Sequence, residues 1–424
     1  MKPIRVSFGL FDFQKGVLLM KKALSVVLSV IMLLSCCTLA FAAEKATTND
    51  KGEKVLQFNE DGKFKILQIN DTQDTDKMNK RTEAFIRAAV AQEKPDLVVI
   101  PGDVCNDIFI GANAKRVKQS LRNLAALLNE LQVPFAYTPG NHDHDKDDKV
   151  STREQMEVFD EFEYNIWNKE DKDTDPGTYN IPILSSDGSK TALNVYMIDS
   201  QNKDGLANGY TGCYPETTAW YKQKSDELKA ANGGQVVPSV VFQHVPVKEI
   251  YQCLQKTDVK HANDAIFSLN DYQWYLEKEE YMFTDPDRML RNDNYVGEAP
   301  CSEIFETKSG EYEAWLAQGD IIGAFFAHDH VNHFIMKTDD GIIMGYNGGT
   351  GFAAYGRGAH RSMRVYEFDE NDVKNYTIDS VYYDEITGDN VKIVPIDIMS
   401  TAIFGDILRF LCRLVFITPW KGSR

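Results

Sequence analysis

The stretch GNHDHDKDD, residues 140–148, places two histidines and four aspartates within nine residues. It comes directly after FAYTP, residues 135–139, an apolar segment typical of a buried strand. Imidazole, carboxylate and carboxamide groups in one place are potential metal ligands, but a run of charges is also typical of a solvated loop. The choice between these interpretations depends on the residues at the ends of the other strands of the chain.

Four other strand-like segments also end in residues that can bind metals. They are FKILQI followed by Asn70-Asp71-Thr72-Gln73, DLVVI followed by Pro101-Gly102-Asp103, SVVFQ followed by His244, and IIGAFFA followed by His328-Asp329-His330. A single histidine after a strand is more often a hydrogen-bonded core residue than a ligand. In an open α/β sheet, however, the carboxyl ends of the strands form the ligand crevice, so five such ends together predict one site.

The expected chemistry is that of a hydrolase with two metal ions. Such a site needs one carboxylate that bridges the ions, with imidazole and carbonyl oxygen donors around them. Asp103 is the expected bridge, because Gly102 before it lets the backbone come close. Asp71 and Asp103 bring two negative charges, whereas two divalent ions bring four positive charges, so the surplus can hold a phosphate anion and acidify a bridging water.

The bulk composition limits what else the protein can be. The chain has 424 residues, of which 43% are hydrophobic, so a large folded core is expected and not disorder. The formal net charge is -17. We therefore expect no nucleic-acid-binding surface, because phosphate backbones are neutralised by lysine and arginine. An anionic substrate has to be held by a local cluster of cations or by metal ions.

The N-terminal region is typical of an export signal. Residues 20–43 begin with Met and two lysines, continue as an apolar run and end in Ala-Phe-Ala-Ala, which is the pattern of a cleaved secretory signal. A membrane anchor that stays in place is the alternative. Residues 1–19 are unusual for an export signal and Met20 is the better start, so residues 1–42 are predicted to be an extension plus a signal peptide. We expect a secreted or cell-surface protein of bacterial type, with disulfides permitted among Cys213, Cys253 and Cys301.

Strands alternate with helices along the rest of the chain, which predicts a largely parallel sheet with antiparallel additions near the C-terminal end. Residues 54–398 are expected to form one α/β domain after a polar linker at 43–53. Residues 250–300 break the alternation and are rich in aromatics, so we expect an insertion that covers one face, with an ordinary packed excursion as the alternative. KVLQF and KFKILQI, with NEDG between them, are predicted to form a β-hairpin.

These motifs, in this order, resemble those of the calcineurin-like metallophosphoesterase superfamily, whose signature is D-x-H, GD, GNH[DE], a lone His and GHxH. The matching residues span roughly residues 60–370. Within the superfamily, FQHVP, AHDHVNHF and GYNGGTGFAAYGRGAHRSMRV look most like the purple-acid-phosphatase-related branch. The resemblance implies a sandwich of two mixed β-sheets flanked by helices (α/β/β/α). It also implies two bound metal ions, divalent or mixed divalent and trivalent, of the Fe, Mn or Zn type.

Carried over residue by residue, the resemblance implies two overlapping ligand sets. One metal would be held by Asp71, Gln73, Asp103 and His330, and the other by Asp103, Asn141, His244 and His328. His142 would contact the phosphoryl oxygens or protonate the leaving group, and Asp143 would orient His142. The implied reaction is hydrolysis of a phosphate monoester or diester by a metal-bound hydroxide.

Three positions depart from the family pattern. Gln73 stands where the family has histidine, so the first metal is expected to be held more loosely, to shift toward Mn or Mg, or to recruit Asp74. Asn106 stands where a purple phosphatase has its tyrosine, so the purple iron colour is not expected. Ala327 replaces a glycine, a small steric change that the histidine pair after it should tolerate.

Residues beyond the matched motifs carry weaker signals. His144 and the aspartates at 145, 147 and 148 are expected to form a solvated loop, with contact between His144 and substrate as the alternative. Arg357, in a glycine-rich segment at 348–361, is a candidate substrate contact. That segment lacks the spacing of a P-loop, and a structural loop is the alternative. Residues 399–424 are expected to form an amphipathic helix, either docked on the body or in contact with a membrane surface.

Two functions stay open on the sequence alone. The first is an exported phosphoesterase with two metal ions that acts on a phosphate-ester substrate. The second is a degenerate relative of the same fold that binds metal or a cell-surface partner without turnover. Gln73 motivates the second, because the loss of one imidazole weakens the first metal position. The other ligand positions match the family, which favours the enzyme.

Overall fold

The computed structural model describes residues 46–106, 109, 111–169, 175–201, 210, 212–258, 265–268, 273–278, 309–330, 333–354 and 356–389. They all belong to one compact unit within Ala43–Arg424. In these ranges, no helix combines the length and the apolar run that crossing a bilayer requires.

The strands of the described ranges are numbered in chain order. They are β1 (Thr47–Thr48), β2 (Lys54–Gln57), β3 (Lys63–Gln68), β4 (Leu97–Pro101), β5 (Phe135–Thr138), β6 (Tyr179–Leu184), β7 (Thr191–Ile198), β8 (Ser239–Gln243), β9 (Leu254–Thr257), β10 (Ala265–Ser268), β11 (Gln273–Glu277), β12 (Ile321–Phe326), β13 (Phe334–Lys337), β14 (Ile343–Tyr346), β15 (Ser362–Asp369) and β16 (Thr377–Tyr382).

The α-helices are α1 (Lys80–Glu93), α2 (Ala114–Glu130), α3 (Asn141–His144), α4 (Thr152–Asp160), α5 (Pro215–Ala231), α6 (Glu311–Gln318) and α7 (Tyr383–Thr387). Short 3₁₀ helices lie at Lys248–Cys253 and Val373–Asn375. The start of α4 has a capping box, in which Ser151 Oγ accepts from the Glu154 amide and the Glu154 carboxylate accepts from the Ser151 amide.

Two large mixed β-sheets form the centre of the fold. The first has the strand order β1-β2-β6-β7-β8-β12-β14-β13, and the second has the order β16-β15-β3-β4-β5. In the first sheet β7, β8 and β12 run parallel, and in the second sheet β3, β4 and β5 run parallel. β13 and β14 pair antiparallel, which agrees with the antiparallel additions predicted near the C-terminal end. The prediction of two mixed sheets is therefore confirmed.

The apolar core has two layers because the first sheet is buried on both faces. Along β8, Val240 and Phe242 pack into the layer between the sheets, whereas Val241 packs into the layer on the opposite face. Side chains of β12 alternate in the same way, with Phe325 in the first layer and Phe326 in the second. Residues of α1, α2 and α4 belong to the same apolar cluster as Val240 and Phe242. This cluster also contains the consecutive residues 97–100 of β4, so it covers both faces of the second sheet. Residues of α5 and α6 belong to the cluster of Val241. The order helix, sheet, sheet, helix results from this packing.

The predicted hairpin between KVLQF and KFKILQI is wrong. Both segments are strands, but β2 pairs with β1 and β6, whereas β3 pairs with β4 and β15. Gly62, at φ +75°, takes the turn that leads the chain from the first sheet into the second. Alternating apolar residues identify a strand, but they do not identify its partner, because pairing depends on residues far away in the chain.

Three further differences concern segments without a clear strand pattern. β6 is not predicted by the sequence; it contains Pro182, a residue that strands usually exclude, and pairs antiparallel with β7. β1 lies inside the expected linker at 43–53 and pairs with β2. Within the expected insertion at 250–300, β9, β10 and β11 form a small antiparallel sheet.

Several predictions fall outside the described residues. These are the extension and signal peptide at 1–42, the C-terminal segment at 399–424 and most of the insertion at 250–300. Cys301 lies there as well. Cys213 is a buried free thiol, so the disulfide considered for it is not formed.

The packing between the sheets predicts the effect of one truncation. Phe242 is fully buried, and its ring centre lies 5.5 Å from that of Phe325 and 5.4 Å from that of Tyr366. We expect Phe242→Ala to lower the free energy of unfolding by about 3–5 kcal/mol because it leaves a cavity, as measured by urea denaturation. The control Val236→Ala, at a 39% exposed position, should change stability by less than about 0.5 kcal/mol. Equal losses in the two variants would contradict the assigned core.

Candidate metal centre

The two sheets meet at the carboxyl ends of their parallel strands. Asp71 and Asp103 come after β3 and β4 of the second sheet, while His244 comes after β8 of the first. His244 Nδ1 lies 2.8 Å from the carbonyl oxygen of Pro101, the last residue of β4. This contact between the sheets brings the ligand loops at the ends of these strands to one place.

A first group of ligands consists of Asp71, Asp103 and His330. One donor atom from each lies within 4.8 Å of the others, a spacing that a single metal ion can span. All three side chains are buried, and Asp71 Oδ1 lies 3.5 Å from His330 Nε2. Within the described ranges, Asp71 Oδ1 accepts no hydrogen bond. A buried carboxylate oxygen without a donor is suited to a cation, so this group fits a metal ion.

A second group consists of Asn141, His244 and His328, and it shares Asp103 with the first. Asn141 Oδ1 lies 3.1 Å from His244 Nε2 and 2.9 Å from His328 Nδ1. His244 Nε2 lies 3.2 Å from Asp103 Oδ2. A carboxamide oxygen, two imidazole nitrogens and a carboxylate therefore converge, which is a donor set that suits Zn, Mn or Fe. Because His244 Nδ1 donates to Pro101, its Nε2 is left to face this group.

The ligand loops have unusual backbone conformations. φ is +50° at Asp71, +40° at Gln73, +53° at Asp103 and +86° at His328. A residue with a β-carbon seldom adopts positive φ, and each instance costs on the order of 1–3 kcal/mol. Such strain persists where the surrounding structure imposes it, and it is found most often at functional sites. All four residues belong to the predicted ligand sets, so the strained backbone lies at the edge of the sheets where the predicted ligands converge.

Two glycines let the ligand loops approach each other closely. A β-carbon on Gly140 would overlap the carboxylate of Asp103 and would lie 2.8 Å from His244 Nδ1. A β-carbon on Gly351 would overlap the backbone of Thr72, and the Gly351 amide donates to the Asp71 carbonyl oxygen at 3.1 Å. The glycine-rich segment at 348–361 therefore supports the Asp71 loop, which favours the structural interpretation of that segment.

Arg357 lies beside the last residue of β16. Its side chain is buried, and its guanidinium carbon lies 5.9 Å from the ring centre of Tyr382, at the end of β16. Contact between Arg357 and a substrate stays a prediction.

The charges in the two groups favour a bound cation. Burial raises the pKa of Asp71 to about 7; the charge of His244 opposes this shift and the charge of Asp103 adds to it. Burial acts in the same direction on Asp103, but the charges of His244 and His142 outweigh it and hold the pKa of Asp103 below its usual range. Burial and the charge of His244 hold the pKa of His328 well below its usual range. A neutral His328 is a competent ligand, and a cation would stabilise the charged form of Asp71.

Gln73 lies beside the shared carboxylate. Its Nε2 donates to Asp103 Oδ2 at 3.0 Å, so the amide in this orientation supplies a donor and not a ligand oxygen. Recruitment of Asp74 as a substitute ligand stays a prediction. Asp74 Oδ1 accepts from the Asn79 amide at 3.0 Å just before α1. Among the described residues, the acidic and histidine side chains close enough together to share one ion in this group are Asp71, Asp103 and His330.

Asp143 stabilises the backbone of the site. Its carboxylate accepts hydrogen bonds from the amides of Gly140 at 3.1 Å, Val104 at 3.1 Å and Cys105 at 2.9 Å. These bonds join the turn that carries Asn141 to the loop that carries Asp103. The expected role of Asp143 in orienting the His142 ring is therefore corrected, because its carboxylate faces backbone amides.

The His142 ring has a different carboxylate beside it. The backbone amide of His142 donates to Asp103 Oδ1 at 2.8 Å, and its Nδ1 lies 2.9 Å from Asp145 Oδ2. The side chain is 28% exposed. His142 is thus anchored at the shared carboxylate while its ring stays open to solvent.

His144 is buried, which corrects the expectation of a solvated loop at this position. Its side chain is 7% exposed, with Nε2 at 2.8 Å from Asp199 Oδ1 and Nδ1 at 3.0 Å from Asp147 Oδ2. Burial lowers the pKa of His144, but the charge of Asp199 and the contacts with Asp147 outweigh burial and raise it to about 11. The resulting charged cluster fixes the end of the turn that begins with Asn141.

Asp199 is a residue near the site that sequence reasoning missed. It comes after β7, which lies parallel to β8, and the end of β8 carries His244. Its position in the sequence is a usable signal, because Asp199 comes directly after the apolar segment TALNVYMI, as His244 comes directly after SVVFQ. Asp199 lies outside the motifs that carry the family resemblance, so those motifs do not identify it.

The contact between His144 and Asp199 predicts a pH-dependent stability. The pKa of His144 rises from 6.5 to about 11 on folding, so its stabilising effect is complete below about pH 6 and is lost as the pH rises toward the folded value. The deficit of His144→Gln relative to wild type should be largest near about pH 6 and should narrow by up to about 1.4 kcal/mol per pH unit above it. Urea denaturation at about pH 6 and pH 9 measures this.

The control for this prediction is His360→Gln. His360 pairs with Asp384 at 3.1 Å, but its side chain is 20% exposed, so we expect a smaller deficit near about pH 6. A deficit of His144→Gln that does not change with pH would contradict the charged state of the cluster.

Comparison with known proteins gives matches over the same region. A family model described as calcineurin-like phosphoesterase matches residues 64–332. The Arabidopsis thaliana protein named "Probable inactive purple acid phosphatase 14" is 27% identical over 381 residues, which cover 80% of this chain and 84% of the relative. "Phosphatase DCR2" of Saccharomyces cerevisiae is 24% identical over 359 residues, which cover 77% of this chain and 55% of the relative.

The crystal structure of a dimetal phosphatase from Danio rerio aligns with a TM-score of 0.40 at 11% identity, covering 76% of this chain and 99% of that chain. The region matched by the family model exceeds half of the sequence and contains both ligand groups. The resemblance found in the sequence is confirmed, and the chain belongs to the calcineurin-like phosphoesterase family.

Proposed function

We propose that the protein is an exported, metal-dependent phosphoesterase that binds two metal ions and hydrolyses phosphate monoesters or diesters. The position of Asp103 is the observation that carries the proposal. Asp103 belongs to the group with Asp71 and His330, and it also lies 3.2 Å from His244 Nε2 of the second group. A centre with two ions needs one such shared carboxylate to hold the ions a few ångström apart.

The metal ions of this family, when bound, polarise the phosphoryl group and activate the attacking water. The chain itself supplies the ligands and the groups that position the substrate. His142 adjoins the shared carboxylate and is partly exposed, so it is placed to meet a substrate that enters from solvent. Its imidazole can donate to a phosphoryl oxygen or to the leaving oxygen.

The net charge of -17 gives the two ions a further purpose. An acidic protein repels an anionic ester at long range, so attraction has to be local. The two groups contain two carboxylates, Asp71 and Asp103, beside neutral donors such as Asn141. Two divalent ions would leave a positive surplus at this point, which favours an anionic ester.

A second function is supported by a specific observation. Gln73 directs its NH₂ group at Asp103 and does not offer its carbonyl oxygen, so the first position has fewer ligands than the family pattern. Relatives from Arabidopsis thaliana are named probable inactive phosphatases. A protein that binds metal without turnover is therefore the alternative. We favour the enzyme because both ligand groups are assembled around Asp103.

Export and membrane contact are also proposals. The signal-like sequence at residues 20–43 supports the proposal of export. The apolar residues 399–424 support the proposal of contact with a membrane surface.

Hydrolysis of p-nitrophenyl phosphate and of its bis-ester by the Mn-loaded protein tests the proposed function. We expect turnover of at least one ester, and a loss of at least about 100-fold in Asn141→Ala, because Asn141 Oδ1 faces two imidazoles of the second group. Monoester turnover assigns the pocket to dianions, whereas a preference for the bis-ester assigns it to diesters.

Asn375→Ala is the matched control, because Asn375 is exposed and its side chain bonds only to Asp372 among the contacts that the structure shows. It should retain wild-type rates. Bound metal without turnover of either ester would favour the non-catalytic alternative. A protein that binds no metal would contradict the phosphoesterase and would favour a relative of the same fold that binds a cell-surface partner.

A further inference from the structure

A carboxylate one helical turn further along the chain lies against the His142 ring. His142 Nδ1 and Asp145 Oδ2 are 2.9 Å apart. Asp145 ends α3 with helical backbone angles of φ -60° and ψ -9°, and its amide donates to the Asn141 carbonyl oxygen at 3.0 Å. Residues three apart on a helical turn lie on the same face. The conformation of the turn therefore brings the Asp145 carboxylate to the imidazole.

Asp143 and Asn106, two other polar residues of the motif loops, have side chains that bind backbone groups. The Asp143 carboxylate accepts from the backbone amides of Gly140, Val104 and Cys105. Asn106, three residues after the shared carboxylate, donates through Nδ2 to the carbonyl oxygens of Gln73 at 2.8 Å and Ala353 at 3.2 Å. These contacts engage both side chains with backbone groups. Asp145 is the carboxylate whose position matches His142 Nδ1.

Two contacts together restrict His142. Its backbone amide is held by Asp103 Oδ1 at 2.8 Å, and its ring is held by Asp145. A neutral imidazole carries its proton on one nitrogen, and a carboxylate beside Nδ1 favours the tautomer protonated there. Nε2 is then the nitrogen that faces away from Asp145. A ring with a defined tautomer and direction presents the same nitrogen to a phosphate ester in one fixed geometry. A residue that positions a catalytic group has to provide this.

We propose that Asp145 is the positioning residue of His142, which fixes the tautomer and the direction of the imidazole that meets the phosphate ester. This inference rests on the proposed phosphoesterase function. It assigns to Asp145 the role that the sequence motif had suggested for Asp143. Asp145 acts through His142.

The exposure of the pair makes the inference testable. The side chain of His142 is 28% exposed and that of Asp145 is 45% exposed. A partly exposed contact of this kind contributes little to folding stability, so Asp145→Asn should fold normally. Asp148→Asn is the matched control, because it removes the same charge from the same loop. Asp148 is 70% exposed and contacts its neighbour Lys149 at 2.7 Å.

The first measurement is the tautomer of His142 by ¹⁵N NMR of the histidine-labelled, Zn-loaded protein, with the signal assigned from its absence in His142→Gln. We expect the Nδ1-protonated form in wild type and in Asp148→Asn, and a changed tautomer distribution in Asp145→Asn. Asp145→Glu should restore the wild-type signal in part, because a longer side chain still reaches Nδ1. This measurement does not require turnover.

The second measurement is steady-state hydrolysis of the preferred ester by the same variants at equal metal content. We expect Asp145→Asn to lower kcat by about tenfold or more with little change in KM, as for other residues that orient a functional imidazole. Asp145→Glu should recover part of kcat, and Asp148→Asn should match wild type.

The two measurements separate this inference from the proposed function. A wild-type tautomer in Asp145→Asn overturns the inference, whatever the rates. A changed tautomer with an unchanged kcat also overturns it. If wild type itself hydrolyses neither ester, the proposed function fails, while the NMR signal still decides whether Asp145 positions the ring.

Discussion

The structure depends on the burial of two carboxylates side by side. Asp71 and Asp103 are both fully buried, and each lies within the same group of potential ligands. Placing a carboxylate in a medium of low dielectric is costly, and a second one nearby adds repulsion. The rise in the pKa of Asp71 to about 7 expresses this cost. Cations at the shared carboxylate would offset it, which connects the electrostatics of the fold directly to metal binding.

The surrounding structure holds this arrangement in place from several directions. The backbone of Asp103 has a positive φ, and Gly140 packs closely against the Asp103 carboxylate. The Asp143 carboxylate joins the two ligand loops by accepting hydrogen bonds from their backbone amides. The charged contact between His144 and Asp199 fixes the end of the turn that carries Asn141. Strain of this kind reduces stability, so it persists because the core between the two sheets contributes enough to offset it.

Much of the site could be predicted because strand ends in an α/β fold converge, so the residues after FKILQI, DLVVI, FAYTP, SVVFQ and IIGAFFA had to be neighbours. The positions of these residues are set by topology. The direction of a side chain is not set by topology, and for this reason the sequence motif pointed to Asp143, and not to Asp145, as the carboxylate that orients His142. The burial of His144 depends on Asp199, a partner 55 positions away. The false hairpin at Gly62 has the same origin, since a local turn does not reveal that its two strands belong to different sheets.

Anomalous X-ray scattering from crystals of the Mn-loaded protein is the decisive experiment for the shared carboxylate, because it locates each ion without reference to activity. We predict two peaks on either side of the Asp103 carboxylate. One would lie beside Asp71 and His330, and the other beside Asn141, His244 and His328. A single peak confined to the second group, or peaks away from Asp103, would contradict the proposal that one shared carboxylate serves two metal positions.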